Sequence, residues 1–399
     1  MRVISLFSGA GGMDLGFLLA GHEIVWANDF DSAAVETYKY NLEDQNNNKT
    51  HITCGDISTL LPNDYAELNK MIPDGDIVIG GFPCQGFSIA NVDRNMEDER
   101  NYLYLELLRV IEAKNAPFFL LENVKGLENI EKGKVLEMIL TDLELTGTKL
   151  GGPGYTVYYN VLNSLDYGVP QSRERVIIYG VRNDLVESAK LSLLDNTLHN
   201  APYRKKLLVR PTHSSEGELI NDISPHNKID ILYNSWKNDI PIDKDNIILP
   251  SYDKPIKHTT LRDAISDLPT DYIHKEDDGI DGLYNHYGTK CKVSLNNRVG
   301  NRPTFWEKHS PTIMGRGSGT GGPLIIPHPN AHRRMSIREV ARIQTFPDSF
   351  IFIGSNSACY RQIGNAVPVL MAYQIARQLF PLRIDIDSNQ MIEQEYVEV

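Results

Sequence analysis

Cys84 stands just beyond a short β-branched run, Asp76-Ile77-Val78-Ile79, that breaks into Gly80-Gly81-Phe82-Pro83 and is followed by Gln85-Gly86-Phe87-Ser88. A run of this kind ending in Gly-Gly and Pro predicts a buried strand that opens into a tight loop. In open parallel α/β sheets, ligands and chemistry gather at that strand end. A thiol there, between a rigid Pro and a polar Gln, is therefore a candidate nucleophile. The alternative is a structural thiol that packs as a small hydrophobe. Glu122 is a second candidate, because it follows the apolar strand Pro117-Phe118-Phe119-Leu120-Leu121. A carboxylate just beyond a buried strand is costly unless it is bonded, neutral or used; capping of the next segment is its other reading. Arg173 and Arg175, in Gln171-Ser172-Arg173-Glu174-Arg175, alternate along an extended segment and so share a side. Two guanidiniums placed that way can hold a carboxylate or phosphate, or else bridge to surface acids.

These side chains need a frame, and the N-terminal sequence supplies one. Residues Arg2 to Phe7 read as a strand, Ser8-Gly9-Ala10-Gly11-Gly12 as a glycine loop, and Met13 to Ala20 as a helix that stops at Gly21. Strand, glycine loop and helix open a nucleotide-binding α/β unit, in which small residues let the backbone approach a ligand. The next strand, Glu23 to Ala27, runs into Asn28-Asp29-Phe30. That places an acid about 20 residues past the first glycine, the distance of a ribose-hydroxyl acceptor. Phe30 can lie against an adenine or serve as a core aromatic, and Asp29 or Asp31 can instead cap a helix. His51 to Cys54 gives a third strand, capped by Gly55-Asp56-Ile57, with Asp56 placed to accept from an adenine amino group. Three strands thus end in polar loops that converge on one sheet edge. A helix is expected from Tyr102 to Lys114, then a strand from Tyr155 to Asn160, a loop from Leu162 to Asp166 and another strand through Gln171 to Arg175 and Val176-Ile177-Ile178-Tyr179-Gly180.

The four cysteines, at 54, 84, 291 and 359, form no Cys-x-x-Cys pair and have no His at zinc spacing, so neither a disulfide framework nor a metal is implied. No apolar run approaches the ~20 residues that span a bilayer, and the first strand is no signal peptide, so a soluble, intracellular protein is expected. The net charge of −12 argues against a polyanion partner only until its distribution is read. From Leu283 to Thr345 ten Lys or Arg face two acids, a local +8 that leaves −20 on the rest. The same window holds Gly315-Arg316-Gly317-Ser318-Gly319-Thr320-Gly321-Gly322. It reads as a phosphate-binding surface, with a solvated basic face as the alternative. Between Arg182 and about Gly282 seven prolines interrupt the pattern, and only Leu261 to Leu268 reads as helical. A helix from Ser336 to Gln344, with Ser336 and Glu339 as a capping box, follows the basic window. A last apolar helix, beginning near Asn365 to Pro368, is expected to return to the glycine loop and make the main domain discontinuous. The final Asp- and Glu-rich residues read as a disordered tail.

Taken as one set, a thiol, an acid at the next strand end, an adenosine-type pocket and a basic glycine-rich excursion suit alkylation of a pyrimidine. Thiolate addition to C6 of cytosine, helped by proton donation to N3, makes C5 nucleophilic towards a sulfonium methyl. Attack from the ring face requires the base to leave the helix, with 88–100 placed to act as a mobile loop. The blocks that carry this chemistry, Leu6-Phe7-Ser8-Gly9-Ala10-Gly11-Gly12, Gly81-Phe82-Pro83-Cys84-Gln85, Glu122-Asn123-Val124, Gln171 to Arg175, Arg338-Glu339-Val340-Ala341-Arg342 and Gln362 to Pro368, stand in the order found in one family. In them the chain resembles the bacterial DNA (cytosine-5) methyltransferases of restriction-modification systems, over nearly everything except Arg182 to about Gly282.

That resemblance implies an α/β fold: a class I S-adenosylmethionine-dependent methyltransferase (Rossmann-like) sheet domain with a smaller, loop-rich target-recognition domain. The implied boundaries are 1–182, completed by 346–383, for the catalytic part, 183–345 for recognition and 384–399 for the tail. Phe7, Gly9, Gly11, Gly12, Asp29, Phe30, Asp56, Ile57, Leu103 and Asn365 would hold S-adenosylmethionine. Cys84 would be the nucleophile and Glu122 the N3 partner, with Arg173 and Arg175 at the cytosine. Gln85, Ser88, Arg298, Arg302, Arg316 and Gly317 would contact double-stranded DNA, read in the major groove. No metal is implied. The implied protein is a cytoplasmic monomer, with a cognate endonuclease acting on the same site outside any required complex. Asp29 stands where many members carry Glu. An RNA-directed relative would lack the large recognition segment and vary the Pro-Cys-Gln loop, and an amino-group methyltransferase would want a motif such as Asp-Pro-Pro-Tyr. An oxidoreductase or a DNA-binding regulator would leave Cys84 and Glu122 unrelated.

Overall fold

The structure, a computed structural model, describes residues 1–44, 50–83, 103–186, 194–195, 205–207, 209–217, 225–238, 255–289, 293, 295–296, 301–315, 326–330 and 332–380. Cys84, Gln85, Ser88, Arg298, Arg316 and Gly317, the loop at 88–100 and the tail at 384–399 lie outside the described residues.

Five apolar segments, β1 (Arg2–Leu6), β2 (Glu23–Asp29), β3 (Ile52–Cys54), β4 (Ile77–Gly80) and β5 (Phe118–Val124), pair in parallel in the order β3-β2-β1-β4-β5. Both faces of such a sheet are covered, which is why β1, β4 and β5 are near-continuous runs of buried apolar residues rather than alternating ones. Period-2 alternation appears instead as a choice of face. Val3, Ile77, Ile79, Phe118 and Leu120 pack into one core layer. Ile4, Val78, Phe119 and Leu121 pack into the other. The first layer is closed by α1 (Gly12–Leu19) and by the last helix of the chain, the second by α4 (Tyr65–Met71), α5 (Leu103–Lys114) and α6 (Lys134–Leu145).

Beyond β5 the sheet changes direction. β6 (Tyr155–Asn163) and β7 (Glu174–Arg182) form an antiparallel pair, and β7 inserts between β5 and β6, antiparallel to both. The start of β7 therefore arrives where β5 ends, Arg175 lying opposite Val124. Strand order reverses between β1 and β4, so the crevice beyond their carboxyl ends is the topological switch point where α/β sheets bind ligands.

Several elements differ from expectation. The segment at 155–166 is one strand to Asn163 and then a single turn of 3₁₀ helix, Ser164–Tyr167, capped by Asn163. A helix the pattern did not predict, α7 (Pro225–Lys237), occupies the loop-rich stretch and starts on a proline, which the first turn tolerates because its missing N–H would have no intrahelical partner. The predicted helix at 261–268 is α8, Leu261–Ile265. α9 (Ile337–Ile343) has the expected capping box. A second unpredicted helix, α10 (Asn356–Asn365), is capped by Ser355 and ends where the last helix was expected to begin; that helix, α11 (Val369–Leu379), starts after Pro368 and packs on α1.

Candidate active site

At the end of β1 the backbone leaves the sheet through Phe7, whose φ of +56° is left-handed, a conformation costly for a residue with a Cβ. Ser8 N donates to Asn28 O (3.0 Å) and Gly9 N to Asp29 Oδ2 (2.7 Å), so the end of β2 fixes the glycine loop. Asp29 also accepts from Asp31 N (2.9 Å), and it is Asp31 that caps α2 (Ser32–Tyr38). Burial raises the Asp29 carboxyl above its ordinary range, against the lowering by those backbone donors. Each carboxylate oxygen keeps a further lone pair for another donor.

The glycines divide the work. A side chain on Gly9 would meet nothing within 4 Å, whereas one on Gly11 would start 2.5 Å from Leu42 Cδ1 and one on Gly12 2.5 Å from Val367 O. Gly9 leaves open space above the loop; Gly11 and Gly12 allow close packing beneath it. Phe30 is 75 % exposed, which rules out the core-aromatic reading and leaves a ring face open beside Asp29. Asp56 caps α3 (Ile57–Leu60) through Oδ1, Ile57 is buried, and Leu103 is half-buried at the start of α5. Asn365 is exposed at the end of α10. An open cradle, a buried strand-end carboxylate and an exposed ring are the parts an adenosine moiety requires.

Under the loop lies a residue the sequence reading passed over. Asp14, on α1, is wholly buried and accepts from Ser5 Oγ (2.8 Å) and Tyr38 Oη (2.7 Å). Burial pushes its carboxyl up to about 6, although both hydroxyl bonds pull the other way. Its only signal in the sequence is an acid among apolar residues of an otherwise buried helix.

The second half of the site is where β4, β5 and β7 meet. Glu122 and Asn123, the two residues before the last of β5, are both buried. Asn123 Nδ2 donates to Phe82 O (3.0 Å), which pins the Gly-Phe-Pro turn after β4. A side chain on Gly81 would start 3.0 Å from Glu122 Oε2. Arg175 Nε lies 2.7 Å from Glu122 Oε1, an ion pair by distance although the Nε–H is not directed at an acceptor. Arg173 is close enough for Arg175 and Glu122 to act on its charge, yet its fork faces elsewhere. Nη1 donates to Ile313 O (2.7 Å) and Nη2 to Gly364 O (2.9 Å) and Ala366 O (3.1 Å). The structure thus brings Glu122, Arg173 and Arg175 together, but the expectation that the two guanidiniums act alike needs correction. Arg175 faces the carboxylate; Arg173, 2 % exposed, has both its Nη groups on backbone carbonyls.

The basic window needs a similar correction. Arg333 forms a two-pronged pair with Glu339 (both 2.7 Å), and Arg342 bonds Asp267 and Asp348. Arg338, with no exposed surface, donates to the carbonyls of Tyr284, Pro347 and Phe350. Three of the ten basic residues are therefore internal struts. Arg302 is exposed.

No helix among the described residues is long and apolar enough to cross a membrane, and no group of three or more His, Cys, Asp or Glu among them could hold a metal. The family model of the C-5 cytosine-specific DNA methylases matches residues 1–381. The chain is 36 % identical to the Type II methyltransferase M.NgoFVII of Neisseria gonorrhoeae, over 96 % of this chain and 87 % of that one. It is 34 % identical to M.BsuRI of Bacillus subtilis, over 94 % and 78 %. Among solved structures, the Dnmt2 methyltransferase of S. pombe superposes with a TM-score of 0.54 at 20 % identity, covering 96 % of this chain and 100 % of that one, a likeness of fold. The chain belongs to the C-5 cytosine-specific DNA methylases, enzymes that take their methyl group from S-adenosylmethionine.

Proposed function

We propose that the chain methylates C5 of a flipped-out cytosine within a specific double-stranded sequence, by covalent addition of Cys84 to C6, and that the mark protects DNA from a cognate restriction endonuclease. The observation that carries this is the Glu122–Arg175 pair, whose carboxylate lies 3.0 Å from where a side chain on Gly81 would begin, three residues ahead of Cys84. S-adenosylmethionine supplies, when bound, a methyl group on a sulfonium. Asp29 would receive the ribose hydroxyls, Phe30 would lie on the adenine, and the space over Gly9 would admit the chain between them. Asp56, Ile57, Leu103 and Asn365 would complete the pocket, with Phe7, Gly11 and Gly12 shaping its floor.

In this reading the Cys84 sulfur bonds to C6 while Glu122 gives a proton to N3, so the ring electrons collect at C5, which takes up the methyl group. Loss of the C5 proton to a base then expels the sulfur as thiolate, restores the C5–C6 double bond and returns the N3 proton to Glu122. Arg175 holds the Glu122 carboxyl in place. The catalytic domain comprises 1–182 and 346–383, and 183–345 recognises the target, with Gln85, Ser88, Arg298, Arg302, Arg316 and Gly317 at the DNA. The enzyme acts as a monomer in the cytoplasm, without a required complex with the endonuclease.

The test is DNA synthesised with 5-fluorocytosine in place of cytosine on one strand. Fluorine does not leave C5 as a cation, so the adduct persists once the methyl has been transferred. A covalent complex is expected with the intact protein in the presence of methyl donor, and none with Cys84→Ala. No adduct on the intact protein would overturn the proposal.

A further inference from the structure

Two stretches distant in sequence meet at one buried cation. Residues 310–313 run beside 170–173: Ser172 N donates to Ser310 O (3.0 Å), Ser310 N to Pro170 O (2.8 Å) and Thr312 Oγ1 to Ser172 O (2.7 Å). The Arg173 fork then reaches across to the 364–366 turn. Gln171 works beside it, Oε1 accepting from Ile313 N (2.7 Å) and Nε2 donating to Gln344 Oε1 (2.8 Å), while Gln344 Nε2 donates to Ile363 O (2.7 Å). The backbones touch. A side chain on Gly364 would start 2.4 Å from Gly315 N, and one on Gly315 would start 1.7 Å from Asn365 Oδ1.

Among the described residues no carboxylate pairs with Arg173, and burial lowers its guanidinium to about 9, which leaves it charged at neutral pH. A buried cation held by neutral carbonyls is a poor device for stability, since a well-packed apolar residue often serves as well. What a planar fork does, and an apolar side chain cannot, is fix several backbone segments relative to one another. One of these segments leads from Gly315 into the basic glycine-rich sequence at 316–322, and the other carries Asn365. Arg173 itself is two residues from Arg175 and its partner Glu122.

We propose that Arg173 is a positioning residue that fixes the root of the glycine-rich segment to the Asn365 turn, so that engaging DNA and binding the cofactor become coupled. This rests on the proposed assignment of Asn365 to the cofactor and of 316–322 to DNA. The experiment measures the affinity of the intact protein for S-adenosylhomocysteine with and without saturating fragments of cytosine-unmethylated bacterial DNA. The wild-type protein is expected to bind it at least about fivefold tighter with DNA present, and by linkage to bind DNA tighter by the same factor. In Arg173→Lys, whose single nitrogen cannot span both carbonyl sets, the factor should fall below about twofold while affinity without DNA changes less than about threefold. Arg175→Lys should lose turnover yet keep the coupling, a split that a merely structural role for Arg173 would not produce. Should Arg173→Lys fail to fold, Gln171→Met decides, since it keeps the cation and removes the partner of Ile313 N. Wild-type coupling retained in the variant that folds, or absent from the wild-type protein, would overturn the proposal. Trapping on 5-fluorocytosine by the same preparations separates the two readings. Protein that traps but shows no coupling refutes the positioning role alone, and protein that does not trap refutes the function beneath it.

Discussion

Replacing Asp14 by Asn tests whether a buried acid under the glycine loop destabilises the sheet domain at neutral pH. The carboxyl has no exposed surface and its value is raised from 3.8 to about 6. The sign follows directly. An acid whose folded value is raised binds more protons in the native state than in the unfolded state, so stability falls as pH rises between the two values. The shift of roughly two units corresponds to about 3 kcal/mol over the whole window, of which about 2 kcal/mol falls between about pH 4.5 and pH 7.5. Other carboxylates run the opposite way, Glu339 among them, held low by Arg333 despite its burial. The raw pH profile of the wild-type protein therefore does not isolate Asp14, and the difference between wild type and Asp14→Asn does. Urea unfolding followed through Trp26, buried in β2, reports on the domain in question. Relative to the variant, the wild-type protein should lose about 2 kcal/mol between those two pH values. A difference that stays flat across the range would refute the reasoning.

Other outcomes follow from the same geometry. Glu122→Gln keeps the shape but cannot donate as an acid, so turnover should fall about 10² to 10⁴-fold with S-adenosylhomocysteine affinity nearly unchanged; an unaltered rate removes Glu122 from the chemistry. Phe30→Ala, which deletes an exposed ring, should weaken S-adenosylhomocysteine binding roughly tenfold, measured by calorimetry, and leave thermal stability alone. Arg338→Ala, which leaves a cavity and three buried carbonyls without their donor, should lower stability by about 3 kcal/mol or more, read by urea unfolding, without changing how DNA affinity depends on salt. Arg302→Ala and Arg316→Ala should do the reverse, each making the salt dependence of DNA binding shallower by about one counterion; unchanged slopes would favour a merely solvated basic face.

The sheet and the ends of its strands were legible because short β-branched runs broken by Gly, Pro and polar residues punctuate them: Gly80-Gly81 after β4, Asn28-Asp29 closing β2 and Glu122-Asn123 closing β5. That Arg175 meets Glu122 was not in this punctuation, because it depends on β7 running antiparallel and beginning beside the end of β5. What was not legible depends on which partners the fold turns towards a side chain, even where they stand only six residues away. Arg333, Arg338 and Arg342 count as three positive charges in any window, and only folding reveals that Glu339, Asp348 and the carbonyls of Tyr284, Pro347 and Phe350 receive them. Arg173 and Arg175 share a strand lead-in and one residue type, and nothing local distinguishes the guanidinium that meets a carboxylate from the one that meets backbone. The helices α7 and α10 were missed for a related reason. Their polar composition hides a buried stripe, which for α10 comprises Ala358, Cys359, Tyr360, Gln362 and Ile363 and packs on other parts of the chain.

Because β7 runs against its neighbours, the chain leaves it at Arg182 on the margin away from Glu122, adds Lys205–Leu207 beside β6, and meets the lead-in to β7 at Ser310, against Pro170. Anyone exchanging the intervening stretch for that of a relative inherits a docking requirement at the return point. A graft that does not offer an amide to Gln171 and a carbonyl to Arg173, as Ile313 does, would strand polar groups in the interior. Transplants whose second junction lies upstream of Ser310 keep this seam and should be tolerated whatever bases the new insert prefers, and those spliced downstream of Ile313 should fail unless the insert rebuilds it.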